Sequence, residues 1–296
     1  VHDSLSDYIA KVGEHIGDRL NLDSISNVVI RPYADITQDG DLSLSSIDYS
    51  AWRFGPKEQP AEISIRATGN INLNGLQGDG FTGTGNELDI LDQESSSFNL
   101  VAGADLTSAR NRAVVLGSDK HLTLSDGAIL RTGTGNINLS TSGDIVFGKN
   151  SSVYTAGVKG TQTSHSIDGN SVYADQGGTI SLIAGQNVNG FVVSQAVNDW
   201  QTHQISSASS DGMRLNWGVD YNSFGWNVGA LGGGDILVKS GGSIRDLSAA
   251  VADSQIFEAD QRTSFGGGNL NLVASNDIQS GYFYVGKGRG DIKAWG

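Results

Sequence analysis

The 296-residue chain has five histidines, no cysteine and 32 acidic residues with which to do chemistry. His2 and His15 fall in one amphipathic stretch, and His121, His165 and His203 are scattered, never at the spacing that gathers metal ligands. There is no His-Glu-x-x-His, no Gly-x-Ser-x-Gly and no phosphate-cradling Gly-x-x-x-x-Gly-Lys. Asp144 and Asp235 occupy the same place in a recurring motif, which makes them the pair to consider as general acid and base. Their place at a strand entrance accounts for them without catalysis. Asp89, Asp92 and Glu94, beside Gly-Asp-Gly-Phe-Thr-Gly-Thr-Gly, bring together the hard oxygens that calcium prefers. The nonapeptide glycine-aspartate repeat of calcium-binding β-rolls is missing, and an exposed acidic loop explains the residues without a metal. The expectation is therefore a protein that is not an enzyme, with no metal and no cofactor.

Recognition chemistry has more to work with. Trp200, Trp217, Tyr221 and Trp226 crowd one segment, and such rings either stack on sugars and anchor partners or pack inward. Met213, Leu215, Trp217, Val219 and Tyr221 alternate, Asn222-Ser223 turn the chain, and Phe224, Trp226 and Val228 alternate back, which predicts a β-hairpin. Apolar alternation implies one covered face, so burial against the rest of the chain is the favoured reading of these rings. Arg289-Gly290-Asp291 matches the integrin-binding tripeptide, but Gly290 and Asp291 also open a repeat motif.

The elements that must position these residues repeat. Gly, then Asp, Asn or Thr, then Ile or Leu, any residue and an apolar one, recurs at Gly40, Gly69, Gly135, Gly143, Gly178, Gly234, Gly268 and Gly290. A six-residue step between apolar residues recurs from Leu100 to Leu106, Leu124 to Leu130, Leu139 to Ile145, Leu182 to Val188, Val238 to Ile244 and Leu272 to Ile278. Gly268 and Gly290 start successive copies 22 residues apart, the length of one coil of a solenoid. Such units bury their apolar stripe only by stacking. Composition agrees: 41 glycines and three prolines, with Val, Ile and Thr, disfavour long helices and suit short strands.

We expect an all-β solenoid of about eight to ten coils, on the order of 40–50 Å long at the spacing of adjacent strands. One domain covers 28–296, with insertions near 78–98, 148–177 and 189–232. Leu5, Ile9, Val12, Ile16 and Leu20 keep the helical period, so 1–27 is expected to form a short amphipathic helix capping the stack. A net charge of −13 argues against nucleic acid and anionic membrane surfaces as partners. No stretch is long and apolar enough for membrane insertion. Val1 is no initiator, and no basic segment followed by an apolar run opens the chain, which points to a processed or excised piece.

An ordered set of motifs carries a family resemblance. Ile30-Arg-Pro, Gly40-Asp-Leu-Ser-Leu, Trp52-Arg-Phe, Leu100-Val-Ala-Gly-Ala-Asp-Leu, Arg131-Thr-Gly-Thr-Gly-Asn-Ile, Tyr154-Thr-Ala-Gly, Gly229-Ala-Leu-Gly-Gly-Gly-Asp-Ile and Tyr284-Val-Gly-Lys-Gly resemble the repeat region of filamentous haemagglutinin family exoproteins. The similarity runs from about Val28 to Gly296. It implies a right-handed parallel β-helix, export by two-partner secretion across the outer membrane of Gram-negative bacteria through a dedicated transporter, and a secreted or surface location. It also implies adhesion, haemagglutination or biofilm roles, and in some members a distal toxin. The sequence shows neither the family's amino-terminal secretion domain nor a carboxy-terminal effector, so transport specificity and toxicity do not carry over. The functional expectation is a non-catalytic structural or adhesive shaft. The alternatives are a module binding a surface glycan or protein through the aromatic insertion 191–232, and, behind it, a polysaccharide-cleaving enzyme.

Overall fold

The computed structural model describes residues 32–54, 58–82, 89–159, 173–209, 212–258 and 261–296; the expected helix at 1–27 lies outside them. Among the described residues the regular elements are β-strands, apart from one 3-10 turn at Val197–Asp199. The described residues are all-β, with mostly parallel and strongly curled sheets.

It passes again and again through three rows of parallel strands. Row one holds eight: Tyr33–Gln38, Glu62–Ala67, Ser97–Ala102, Ile137–Thr141, Ile180–Ala184, Ile236–Ser240, Leu270–Ala274 and Gly290–Ala294. Rows two and three share one 12-stranded sheet because the strand Ile71–Gly78 serves both, with Leu42–Asp48 paired along it on its other side. Its Ile71, Asn72 and Leu73 pair with Leu122–Leu124, while Leu76, Gln77 and Gly78 pair with the strand Ile129–Thr132. Row two continues through Ile145–Phe147, Val188–Asn189, Ile244–Arg245 and Ile278–Gln279; row three through Ser152–Thr155, Val228–Ala230, Ala249–Val251 and Phe283–Val285.

Parallel register stacks like on like. In row one Ile63, Phe98, Ile137, Ile180, Ile236 and Leu270 form one inward column, and Ile65, Leu100, Leu139, Leu182, Val238 and Leu272 form the next. All are buried in one continuous core, each side chain contributing about 1.5–3 kcal/mol. A third column of alanines is interrupted by Thr141 and Ser240, whose hydroxyls donate to the carbonyls of Lys120 and Gln186 and so stay satisfied in an apolar setting.

The six-residue step marks the corners between rows. Leu139 to Ile145, Leu182 to Val188, Val238 to Ile244 and Leu272 to Ile278 turn from row one into row two, and Leu124 to Leu130 turns from row two into row three. Leu100 to Leu106 does not follow the rule. After Ala102 the chain leaves the rows, and Leu122 takes the place between Ile71 and Ile145.

The coil length also needs correction. Leu272 pairs with Ile292, a step of 20 residues, so the motif at Gly290 sits two residues ahead of the motif at Gly268. Backbone contact explains which glycine continues the column. A Cβ on Gly178 would stand 2.0 Å from the Gly135 carbonyl oxygen, and one on Gly288 would stand 1.8 Å from that of Gly268. Gly288, rather than Gly290, therefore fills the close-packed place, and a two-residue slide keeps the inward faces inward.

Insertions leave the rows as antiparallel pieces. Phe81–Thr82 pairs with Asp89–Ile90, and Val158–Lys159 with Ala174–Asp175. The largest is a four-stranded sheet of Gln201–Ser209, Gly212–Val219, Asp253–Glu258 and Gln261–Gly266. The strand holding Leu215, Trp217 and Val219 is found, but its hairpin partner is Gln201–Ser209, not 224–228. Val228–Ala230 instead returns to row three beside Ser152–Thr155. The pair 253–266 lies between rows three and one, and nothing in the repeat pattern marks it.

Candidate functional site

The aromatic insertion folds onto the outer side of row three. Along that side the residues in register are Arg131, Tyr154, Gly229, Ala250 and Tyr284. Small residues at Gly229 and Ala250 leave a trough, and Trp200, Tyr221, Phe224 and Trp226 fill it as a second buried cluster. Trp200 meets Phe224, Trp226 and Tyr284 edge to face at 5.4, 5.6 and 5.7 Å between ring centroids, the arrangement favoured by ring quadrupoles. The Trp226 indole donates to the Gln195 carbonyl at 3.1 Å, and the Tyr221 hydroxyl to the Ala156 carbonyl at 3.1 Å. Burial pushes the Tyr221 and Tyr154 phenols up from their ordinary range, so neither serves as a proton donor to solvent near neutral pH. Three of the four candidate rings, Trp200, Tyr221 and Trp226, thus have no open face for a ligand.

Trp217 is different. It lies on the antiparallel sheet, half-buried, directly opposite His203 with ring centroids 6.3 Å apart, and His203 is exposed. Its indole donates to the carboxylate of Asp253, whose side chain lies against Gly286, where a Cβ would stand 1.9 Å from Oδ1. Burial raises the Asp253 carboxyl above the usual carboxylate range, and the Trp217 donor, with Lys287 and His203 nearby, pulls it back part of the way. Gln201 ties the site together, donating to the Asp253 carbonyl at 3.0 Å and accepting from the Tyr284 hydroxyl at 2.8 Å. The exposed imidazole and the half-buried indole can stack against a ring, while the Asp253 beside them is itself buried. Asp253 escaped the sequence reading because no motif or spacing ties it to Trp217.

Asp144 and Asp235 do not form an acid/base pair: they enter different rows, Asp144 just before the row-two strand Ile145–Phe147 and Asp235 just before the row-one strand Ile236–Ser240. Each belongs to a ladder in which a short polar side chain accepts the backbone N–H of the next coil. Into row two the ladder runs from Asp41 to Asn70, His121, Asp144, Asn187 and Ser243. Asp144 Oδ1 takes the Asn187 N–H at 2.7 Å, and Asp235 Oδ1 takes that of Asn269 at 2.7 Å. His121 accepts the Asp144 N–H through Nδ1 at 3.0 Å. The Asp or Asn after the motif glycines other than Gly290 is thereby explained: its oxygen satisfies a donor the corner would otherwise orphan.

Asp92 and Glu94 are exposed, and the Asp89 side chain lies outside the described residues. Among the described residues no three His, Cys, Asp or Glu side chains converge to hold a metal ion. The Arg289 guanidinium pairs with Asp291 at 2.8 Å, folding the two charges of the tripeptide onto one another at the start of the strand Gly290–Ala294. A small concavity lined by Asp48, Leu76, Gly78, Asp79, Phe81 and Arg131 has about 10 Å³ of room, enough for one water. Beside it Asp79 is buried but fully engaged, taking Arg53 in two bonds of 2.8 and 3.0 Å and the backbone N–H groups of Gly80 and Ser96. That constellation braces a loop. No helix among the described residues is long and apolar enough to cross a membrane, which leaves membrane-spanning strands unaddressed. No family model, curated protein or solved structure matches the chain.

Proposed function

We propose that this chain is a non-catalytic shaft segment of a secreted bacterial filamentous exoprotein, a right-handed parallel β-helix whose part in surface adhesion or biofilm contact comes from rigidity and from its insertions. The observation that carries the reading is the pair of inward columns from Ile63 to Leu270 and from Ile65 to Leu272, in register across six row-one strands. Stacked units of this kind make a stiff spacer in which each coil contacts only its neighbours. The ordered motifs shared with filamentous haemagglutinin exoproteins supply the location, at the cell surface or outside the cell, and the outer-membrane transporter as export partner. Separation of Asp144 from Asp235 into different rows weighs against polysaccharide cleavage.

A second reading is favoured by the half-buried Trp217 beside the exposed His203: a glycan or protein site on the antiparallel sheet. The experiment is a glycan-array and host-cell binding assay on the purified chain and on Trp217→Ala/His203→Ala, with polysaccharide digests run alongside. The spacer reading expects the two proteins to behave alike and no shortened polysaccharide. Binding lost in the variant would make this a recognition module, and product release would end the non-catalytic reading.

A further inference from the structure

Counted along row one, the fourth coil begins with Ile137–Thr141, the fifth with Ile180–Ala184, the sixth with Ile236–Ser240 and the seventh with Leu270–Ala274. Within the rows each strand pairs only with those of adjacent coils. A stack held by such pairing alone frays from its end one coil at a time, because each opening breaks a single interface. The inserted segments depart from that pattern, with contacts that skip a coil. From the fourth coil to the sixth, Asp175 Oδ1 accepts the Gly266 N–H at 3.2 Å, and the Tyr173 and Phe265 rings stand 6.1 Å apart. From the fifth to the seventh, the Tyr284 hydroxyl donates to Gln201 Oε1 at 2.8 Å, and its ring meets Trp200 edge to face. Phe81 of the second coil, 5.9 Å from the Tyr154 ring of the fourth, carries the ring contacts back along row three.

We propose that the antiparallel sheet, with the rings beneath it, clamps coils four to seven into one cooperative block, which opens all at once and not coil by coil. The two skipping spans interleave, and the sheet binds one to the other. Gly212–Val219 of the fifth coil pairs with Asp253–Glu258 of the sixth at Trp217 and Gln255. The Gln255 side chain donates to the Leu215 carbonyl at 3.1 Å, and the Phe257 N–H to Asn216 Oδ1 at 2.8 Å. Gln201 holds the Asp253 carbonyl of the sixth coil through its Nε2 and the Tyr284 hydroxyl of the seventh through its Oε1. The Tyr221 hydroxyl of the fifth reaches back to the Ala156 carbonyl of the fourth. Gln201, Asn216, Tyr221 and Gln255 are buried, so lifting away any one coil strands a polar group of its neighbours without water. Two other side-chain bonds that skip a coil, Asn111 to the Tyr33 hydroxyl and Gln186 to Asp119, join exposed groups that water can serve as well. The use of such a clamp rests on the shaft reading: a shaft between two surfaces is pulled along its axis, and a stack that peels coil by coil gives way at its weakest interface.

The test is native-state hydrogen exchange of the full chain in low denaturant, read at the row-one amides of Ile180–Ala184, Ile236–Ser240 and Leu270–Ala274. A clamped block predicts one opening free energy and one denaturant dependence for all three strands. Protection that rises stepwise from Leu270–Ala274 inward to Ile180–Ala184 would overturn the proposal. Tyr284 lies on the outer side of row three, so Tyr284→Ala removes no inward contact and should release the seventh coil. Exchange at Leu270–Ala274 should then quicken about tenfold or more, with Ile180–Ala184 unchanged. Equal acceleration at all three strands would show that Tyr284 adds to overall stability without joining coils, and would overturn the proposal as well. Pulled by its two ends in a force spectrometer, the wild type should release residues 137–285 in one step; successive steps of single-coil length would also overturn it. These readouts stand apart from the shaft reading, whose own failure shows in the binding and digestion assays.

Discussion

The Phe224 ring lies across the backbone of Gly229, its Cζ 2.6 Å from the point where a Cβ on that glycine would stand. Gly229 is the low place in the outer side of row three, between Tyr154 and Ala250, and the aromatic insertion rests in it. Gly229→Ala should therefore cost about 1–3 kcal/mol by overpacking. Denaturant unfolding measures this, and Phe224→Leu in the same chain should return part of the loss. A Gly229→Ala protein as stable as the parent would show that the insertion does not bear on this row.

Trp226 and Trp217 should separate cleanly. Trp226 is buried between Trp200 and Tyr282, with ring centroids at 5.6 and 6.0 Å, so Trp226→Ala should cost about 3–5 kcal/mol. Trp217→Ala, at a half-buried place, should cost clearly less. Equal losses in thermal or denaturant unfolding would mean that Trp217 packs as part of the same cluster and offers no surface.

Asp144 should act as an acceptor and not as an acid. Its Oδ1 receives both the backbone N–H and the side-chain amide of Asn187, at 2.7 and 3.0 Å. Asp144→Asn keeps an oxygen there and should be nearly neutral, whereas Asp144→Ala orphans a partly buried donor and should cost about 1–3 kcal/mol. If the two variants lose the same amount, the ladder contributes nothing at this corner.

Asp253 should make the junction of the antiparallel sheet with row three pH-dependent. Its folded carboxyl is raised above the 3.8 expected of the unfolded chain. Between the two values the folded protein binds the extra proton, so this residue's penalty is present at neutral pH and fades as pH falls through the raised value, levelling off below about 3.8. Asp253→Asn should be more stable than the parent near neutrality, with the gap closing on acidification. The difference between the two unfolding curves across that range is the measurement, and a gap that widens with acid would reverse the assignment.

The sequence by itself determined the strands and their inward faces. Glycine, a small polar residue and two apolar residues at alternate places leave little choice of local conformation, and repetition tells which residues stack. It also showed the corners, because Leu139 to Ile145 and its counterparts are the distance at which one inward face must give way to the next. The tertiary structure decided register, partners and exposure. Motif identity could not reveal that Gly288 replaces Gly290 in the glycine column, since a slide of two residues leaves every side chain on its own face and only backbone contact tells the registers apart. Nor could it show that Asp144 and Asp235 enter different rows, because the same local motif serves both strand entrances. Alternation around Trp217 correctly marked a strand, but strand pairing is non-local, and Gln201–Ser209 and Asp253–Glu258 became its neighbours only when the chain closed its coils. That closure buried Trp200, Tyr221 and Trp226 and left Trp217 beside His203 and Asp253.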